Sequence, residues 1–449
     1  MGRLFGTDGV RGVANTEISS ELAMNIGKAA AMVLKNHDTV RPTVLIGRDT
    51  RLSGDMIEGA LTTGLCSIGA DVILLGVVPT PAVAYLILRR GADAGIMISA
   101  SHNPFEFNGI KLFSSEGYKI PDSIEEQIED IVLDGDYSYP VLIGDSVGSV
   151  KRWDDCLSAY IEYVVSSVDG NLNGFEIALD CANGSSSYTA ERIFTRLGAK
   201  VHVLNASPNG VNINDDCGST HIDGLCRYVK DHHLDGGLAF DGDADRCFAV
   251  DENGCVINGD TIIAAFAADL KTRNMLNHNS VVCTVMSNMG FDRFCEEHDI
   301  TCVFTDVGDR CVLEEMRRGG YNIGGEQCGH VMLLDHTTSD DGQLTGAHLL
   351  HMIKRRGIRL SYYADLIKRY PQTHINIRIT TEERKRFLQD EEIPQKAQAI
   401  RTSLGKRGKL VVRVSGTEPL ARVMVQGVDV EEINRYAEEM ADFIRERLR

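Results

Sequence analysis

The sequence predicts an α/β fold of three related α/β units in tandem, followed by a smaller α+β unit. Two observations carry this. Short apolar runs that read as buried strands alternate with stretches of helical periodicity, three times over. Beyond about residue 370 the alternation stops, and two strand-like runs flank a single loop. The length agrees: 449 residues suit roughly three domains at about 150 each, each large enough to bury a core without disulfides.

In the first unit, residues 44–47 (VLIG) read as a buried strand. Ser53 reads as the cap of a helix whose Met56, Ile57, Ala60, Leu61, Leu65 and Ile68 fall at helical spacing. A strand at 71–76, a helix after Pro81 and a strand at 94–99 complete a β-α-β-α-β series. The second unit repeats it, with FEIALD, a helix to about Leu197, KVHVLN, a helix near 225–232 and LAFDGD. The third has VVCTV, a helix near 291–298, TCVFTDV, a helix at 310–317 and YNIGGEQ. Tyr370-Pro371 and the charged run 382–385 then break the pattern. KLVVRV and ARVMVQG read as strands, and Ile433, Tyr436, Ala437, Met440, Phe443, Ile444 and Leu448 form one apolar face of a final helix. The predicted units are 1–150, 151–255, 256–368 and 369–449.

Charge and cysteine usage exclude several function classes. With 46 Lys and Arg against 64 Asp and Glu, the net charge of −18 argues against nucleic acid and anionic membrane as partners. A locally basic pocket for a small anion is compatible with it. The 12 cysteines are scattered with no CxxC, so zinc-finger and thioredoxin-like readings fail on spacing, and buried thiols in a reducing cytoplasm are expected. The N-terminus lacks an apolar signal region, and the most membrane-like stretch, 72–88, is broken by Gly76, Pro79, Thr80 and Pro81.

Four loops carry chemistry, one per unit. SASHNP (99–104) follows an apolar strand, where open α/β sheets place ligands. Ser101 is well placed for chemistry there, with a plain Ser/Asn/Pro turn as the rival reading; His102 is adjacent in sequence, and neighbouring side chains seldom face each other. Asp241, Asp243 and Asp245 follow the apolar LAF. Two such carboxylates at about 4 Å repel by roughly 4 kcal/mol at a surface-like dielectric. A hard cation, Mg²⁺ or Ca²⁺, removes that cost. An EF-hand is excluded because Arg246 stands where that loop needs Gly. The third loop, 324–330, offers paired glycines, Glu326 as acceptor for sugar hydroxyls, and His330 as acid, base or cation. The fourth offers Arg413, Ser415, Gly416, Thr417 and Arg422, a phosphate cradle by residue type. No Walker loop occurs and no GxGxxG follows a strand.

These loops, in this order, resemble the α-D-phosphohexomutase superfamily over the whole chain. Within it, LFGTDGVRG, GGEQ and SGTEPLARVMV are most similar to the branch acting on glucosamine phosphates. The resemblance implies three similar α/β domains of mixed sheet and a smaller fourth around a central cleft. It implies a cytoplasmic enzyme, a homodimer, that interconverts glucosamine 6-phosphate and glucosamine 1-phosphate. That reaction feeds UDP-N-acetylglucosamine and peptidoglycan precursors. It further implies that Ser101 is phosphorylated and completes an Mg²⁺ site with Asp241, Asp243 and Asp245, with a sugar 1,6-bisphosphate as activator. Arg246 matches the arginine beside the phosphoserine. Glu326 and Cys328 match sugar contacts, and Arg413, Ser415, Gly416, Thr417 and Arg422 the phosphate loop. Arg11, Lys111 and His330 match polar residues near the transferring phosphoryl. Lys111 would serve as acid or base if its neighbours lowered its pKa. Cys328 stands where the family usually has Ser, a stronger hydrogen-bond partner. Three rivals remain: a mannose or glucose phosphate mutase, a metal-binding protein without catalysis, and a Ser hydrolase.

Overall fold

A computed structural model describes residues 3–6, 8–34, 41–135, 141–415 and 419–449. Six strands form the first sheet: β1 (Val10–Val13), β2 (Thr43–Arg48), β3 (Asp71–Val77), β4 (Ala94–Ile98), β5 (Phe107–Ser114) and β6 (Val150–Arg152). Their order is β1-β5-β4-β2-β3-β6. The β4, β2, β3 and β6 strands run parallel to one another, whereas β5 is antiparallel to both β4 and β1. The predicted strands and helices of this unit are present; β1 and β5 add an antiparallel edge. Ser53 stands at the N-cap of helix Gly54–Ser67 but does not cap it. Its hydroxyl instead accepts a hydrogen bond from Asn108 Nδ2 on β5, at 2.9 Å.

The second sheet contains β7 (Glu176–Asp180), β8 (Lys200–Leu204), β9 (Gly236–Phe240), β10 (Cys247–Asp251) and β11 (Val256–Ile257), in the order β11-β10-β9-β7-β8. The third contains β12 (Ser280–Thr284), β13 (Thr301–Thr305), β14 (Ile323–Gly325) and β15 (Val331–Leu333), in the order β13-β12-β14-β15. All three sheets are mixed. One apolar core runs through these three units, joining Leu75 and Val83 to Tyr160, Phe194, Leu238, Phe266 and Leu349.

The last unit is a sheet of β16 (Gln372–Arg378), β17 (Gly408–Val414) and β18 (Leu420–Gly427), ordered β16-β18-β17. Its core is separate: Ile377 and Val423 pack on Ile433 and Ile444 of helix Val430–Leu448. The charged run that breaks the α/β pattern is itself helical, Thr381–Gln389, started by a capping box in which Thr380 and Glu383 exchange hydrogen bonds. No helix among the described residues is long and apolar enough to cross a membrane.

Candidate active site

Ser101 follows β4, and the Asp241–Asp245 loop follows β9. The structure brings them together: Ser101 Oγ donates to Asp241 Oδ2 at 2.5 Å, and both residues are fully buried. Ser101 has φ +51, a left-handed conformation that costs a non-glycine residue energy and persists where its surroundings enforce it. That turn also places His102 Nδ1 3.3 Å from Ser101 Oγ, so here the adjacent side chains do face each other. Burial, with Arg246 and Arg11 close by, pushes the His102 imidazole down to about 2.

The three aspartates present one oxygen each within 4.8 Å of one another. Burial, with Asp245 and Asp243 adding repulsion, pushes Asp241 up to about 8. Oδ1 of Asp243 and Oδ1 of Asp245 are buried without a hydrogen-bond partner among the described residues. Two orphaned carboxylate oxygens in an all-oxygen cluster fit a hard divalent cation. The other oxygens are engaged: Asp243 Oδ2 accepts from Thr80 Oγ1 at 2.5 Å and from Lys111 Nζ at 2.8 Å.

Lys111 departs from expectation. Its ammonium is buried among Asp243 at 2.8 Å, Asp8 at 2.9 Å and Asp245 at 3.0 Å. Burial opposes its charge, but the three carboxylates outweigh burial and raise its pKa well above the ordinary value. This direction is opposite to the lowering that a role as base would need. Asp8, which the sequence reading did not single out, holds this group together. One of its oxygens takes Lys111 and Arg11, and the other takes Lys119 at 2.5 Å. Lys119 in turn pairs with Asp309 of the third unit.

The 324–330 loop meets the chain just after the aspartates through its backbone: Cys247 N donates to Gly329 O at 3.0 Å, and Arg246 and His330 form an antiparallel bridge. The start of helix Gly342–Arg356 adds a bond from Gly342 N to Ala244 O at 3.0 Å. Arg246 Nε lies 3.0 Å from His330 Nε2, and His330 Nδ1 faces Asp340. Burial disfavours the imidazolium, yet Asp245 and Asp340 prevail and raise its pKa. Glu326 Oε1 accepts from Gly308 N at 3.1 Å, and burial raises its pKa. Cys328 Sγ lies 3.8 Å from Glu326 Oε2; burial and that carboxylate push the thiol up to about 11, so it stays protonated.

On the fourth unit, Arg413 of β17 pairs with Arg422 of β18, and Arg422 with Asn376 of β16. These three share one sheet face and line a cavity of about 170 Å³ with His374 and Met286. Burial and the charge of Arg422 lower the pKa of Arg413. Ser415 is buried, and its carbonyl accepts from Arg384 Nη1 at 2.8 Å. Gly416 and Thr417 lie outside the described residues. Thus Ser101, Arg11, Lys111, Arg246, His330 and the aspartate trio converge directly. Arg413 feels the charge of Glu326, which in turn feels His330 and Arg246. Besides Asp8, the reading missed Arg51 and Asn214, both bound to the Ser101 backbone. The charged cluster Arg48-Asp49-Thr50-Arg51 straight after a strand was the available signal for Arg51.

Comparison with known proteins agrees with this layout. Models of phosphoglucomutase/phosphomannomutase α/β/α domains I, II and III match residues 2–138, 158–254 and 258–370, and that of the C-terminal domain matches 375–443. In structure, a phosphoglucomutase/phosphomannomutase family protein of Burkholderia thailandensis superposes with a TM-score of 0.82 at 23% identity, covering 99% of this chain and 97% of that one. A putative phosphomannomutase of Thermus thermophilus follows at 0.74 and 21%, covering 98% of each. These likenesses establish the fold. In sequence, phosphoglucosamine mutases of Acetivibrio thermocellus and Ruminiclostridium cellulolyticum are each 48% identical over 448 residues, with 100% of both chains covered. A similarity of that depth, end to end and through all four domains, places the chain in the phosphoglucosamine mutase family of the α-D-phosphohexomutases.

Proposed function

We propose that this protein interconverts glucosamine 6-phosphate and glucosamine 1-phosphate through a phosphorylated Ser101 and a sugar 1,6-bisphosphate. The observation that carries the reading is the Ser101 hydroxyl, fully buried and bonded to Asp241 at 2.5 Å amid a carboxylate trio with orphaned oxygens. In the cycle, a sugar hydroxyl attacks the phosphorus carried on Ser101 Oγ. The O–P bond to serine breaks, and a bisphosphorylated sugar and a serine hydroxyl result. The hydroxyl proton lost by the sugar is balanced by the one gained at Ser101 Oγ, whose hydrogen bond to Asp241 holds it. After the sugar turns over, Ser101 Oγ attacks the other phosphate and the steps reverse. A net isomerisation follows with no phosphate lost to water.

Asp241, Asp243 and Asp245 would hold Mg²⁺, which when bound supplies positive charge to the oxygens of the transferring phosphoryl group. The chain's own cations supply the rest. Lys111 and Arg11, fixed by Asp8, and Arg246 with His330, present charge where it accumulates in transfer. Glu326 and Cys328 would orient sugar hydroxyls, while Arg413, Ser415, Gly416, Thr417 and Arg422 would hold whichever phosphate is not reacting. The four units divide near residues 150, 255 and 368 in this reading, and family likeness extends it to a cytoplasmic homodimer.

The test is mutase turnover with Mg²⁺ and a bisphosphate primer, comparing glucosamine, mannose and glucose 6-phosphates on wild type and Ser101→Ala. Strong preference for the amino sugar, abolished in the variant, is expected. A preference for mannose or glucose phosphate would overturn the substrate, and a fully active variant the mechanism.

A further inference from the structure

We infer that Arg51 and Asn214 are positioning residues that lock the Ser101 loop from two sides, one from each of the first two units. The inference rests on Ser101 being the phosphoryl carrier. Arg51 is 1% exposed, and every one of its guanidinium N–H groups is used. Nε donates to Asp49 Oδ2 at 2.8 Å, and Nη2 to Ser101 O and Asn103 O, both at 2.9 Å. Nη1 donates to Phe107 O at 2.9 Å and also to Pro104 O. Four carbonyls of one seven-residue stretch therefore converge on a single planar fork. Asp49 balances its charge and orders the loop again through Ser99, whose hydroxyl donates to Asp49 Oδ2 at 2.7 Å and accepts from Ser101 N at 2.9 Å.

Asn214 reaches the same loop from the second unit. Its Nδ2 donates to Ser101 O at 2.9 Å and to Asn103 O at 3.1 Å, so both of its amide hydrogens are used as well. The carbonyls of Ser101 and Asn103 thereby each accept two hydrogen bonds, one from each unit, which fills both lone pairs. Gly242 completes the arrangement. A Cβ there would lie 2.6 Å from Ser101 O and 3.0 Å from Asn214 Nδ2. This saturation explains how a serine is kept at φ +51 and its Oγ aimed at Asp241. Both side chains act on Ser101 through the loop backbone.

The predicted consequence is selective. A loosened loop misplaces Oγ, and displacement of a reacting group by about 1 Å costs on the order of 100-fold in rate. Substrate binding by the other loops is left intact. Asn214→Ala and Arg51→Lys would be compared with wild type and Ser101→Ala for kcat and KM, for thermal melting, and for backbone hydrogen exchange across residues 99–107. Asn214→Ala is expected to lose about 10- to 100-fold in kcat with KM within two-fold, a native melt, and faster exchange confined to that stretch. Arg51→Lys, which keeps the charge but not the fork, should behave likewise; should it fail to fold, Asn214→Ala decides. An Asn214→Ala kcat within two-fold of wild type, or a raised KM at unchanged kcat, overturns the inference. Full activity in Ser101→Ala overturns the carrier reading itself and the inference with it.

Discussion

Neutralising Asp241 should stabilise the metal-free protein while destroying its activity. In Asp241→Asn the side chain keeps its shape but loses its charge. The closest oxygens of the trio lie within 4.8 Å of one another. At an effective dielectric of 20, each such pair repels by about 3.5 kcal/mol. Asp241 takes part in two pairs, and its one cationic partner among the described residues, Arg246 at 3.8 Å, returns about 4 kcal/mol. Subtracting about 1 kcal/mol for the lost charge assistance in the Ser101 hydrogen bond leaves a gain of roughly 1–2 kcal/mol. For units of this size that is a rise in Tm of about 2–8 °C. The sign depends on pH. Asp241 has its pKa raised to about 8, so wild-type stability is greatest below the ordinary carboxylate range and falls as pH climbs through 8. The variant escapes that fall, and its advantage in chelator should be larger at pH 8.5 than at pH 5.5. Excess Mg²⁺ should stabilise wild type more than the variant, by mass action on the intact site. Melting curves with chelator or Mg²⁺ at both pH values provide the assay. A variant that melts below wild type in chelator at pH 8.5, or equal Mg²⁺ gains in both proteins, would refute the argument.

Two further outcomes follow from the geometry. Cys328→Ser puts a stronger hydrogen-bond partner in the loop beside Glu326, where the thiol stays protonated. KM for the amino sugar phosphate should fall by about two- to five-fold, the equivalent of roughly 0.5–1 kcal/mol, with kcat nearly constant; steady-state kinetics showing KM unchanged or raised would contradict this. Asp341 caps helix Gly342–Arg356 and accepts from Tyr160 Oη, yet burial pushes it up to about 7. Its contribution is complete below the ordinary carboxylate pKa and is lost as pH rises through 7. Asp341→Asn preserves the cap without a charge, so its stability relative to wild type should increase between pH 5 and pH 8 in urea unfolding, and a flat or opposite trend would count against the assignment.

What the sequence made legible is what local pattern determines. Strands such as Ala94–Ile98 and Gly236–Phe240 are buried throughout, so they read as unbroken apolar runs. The strand Phe107–Ser114 was not legible, because Asn108 and Lys111 interrupt its apolar character. Those two are buried only because their partners, Ser53, Asp8, Asp243 and Asp245, are brought in by the fold. The same non-locality hid the charge state of Lys111: two of its three carboxylates lie more than 130 positions away. The approach of His102 to Ser101 was hidden for a different reason, since the left-handed turn at Ser101 brings adjacent side chains to one side. The helix Thr381–Gln389 had its local signal in place, the Thr380–Glu383 capping box, but its lack of any buried residue made it read as a break.

The two phosphate-facing ends of the site are built on different foundations, and the chemistry asks for that difference. Transfer demands fixed geometry at the reacting end. There, Ser101, the aspartates, Lys111, Arg246 and His330 are anchored in the continuous core of the first three units and tied by buried ion pairs from Asp8 to Asp309. In the proposed cycle the remote end would accept either phosphate of a sugar that has turned over. Arg413 and Arg422 lie on a sheet with its own core, joined to the third unit through polar contacts such as Met289 N to Gln426 Oε1 at 2.8 Å and Lys409 Nζ to Ser287 O at 3.1 Å. Guanidinium forks recognise a phosphate by charge and planar geometry, not by the atom that carries it. In the proposed cycle, an arginine pair at the tolerant end and a rigidly held serine at the exacting one would let one site process both isomers. Glu326, within electrostatic reach of Arg413, His330 and Arg246, would read the sugar between them in that cycle.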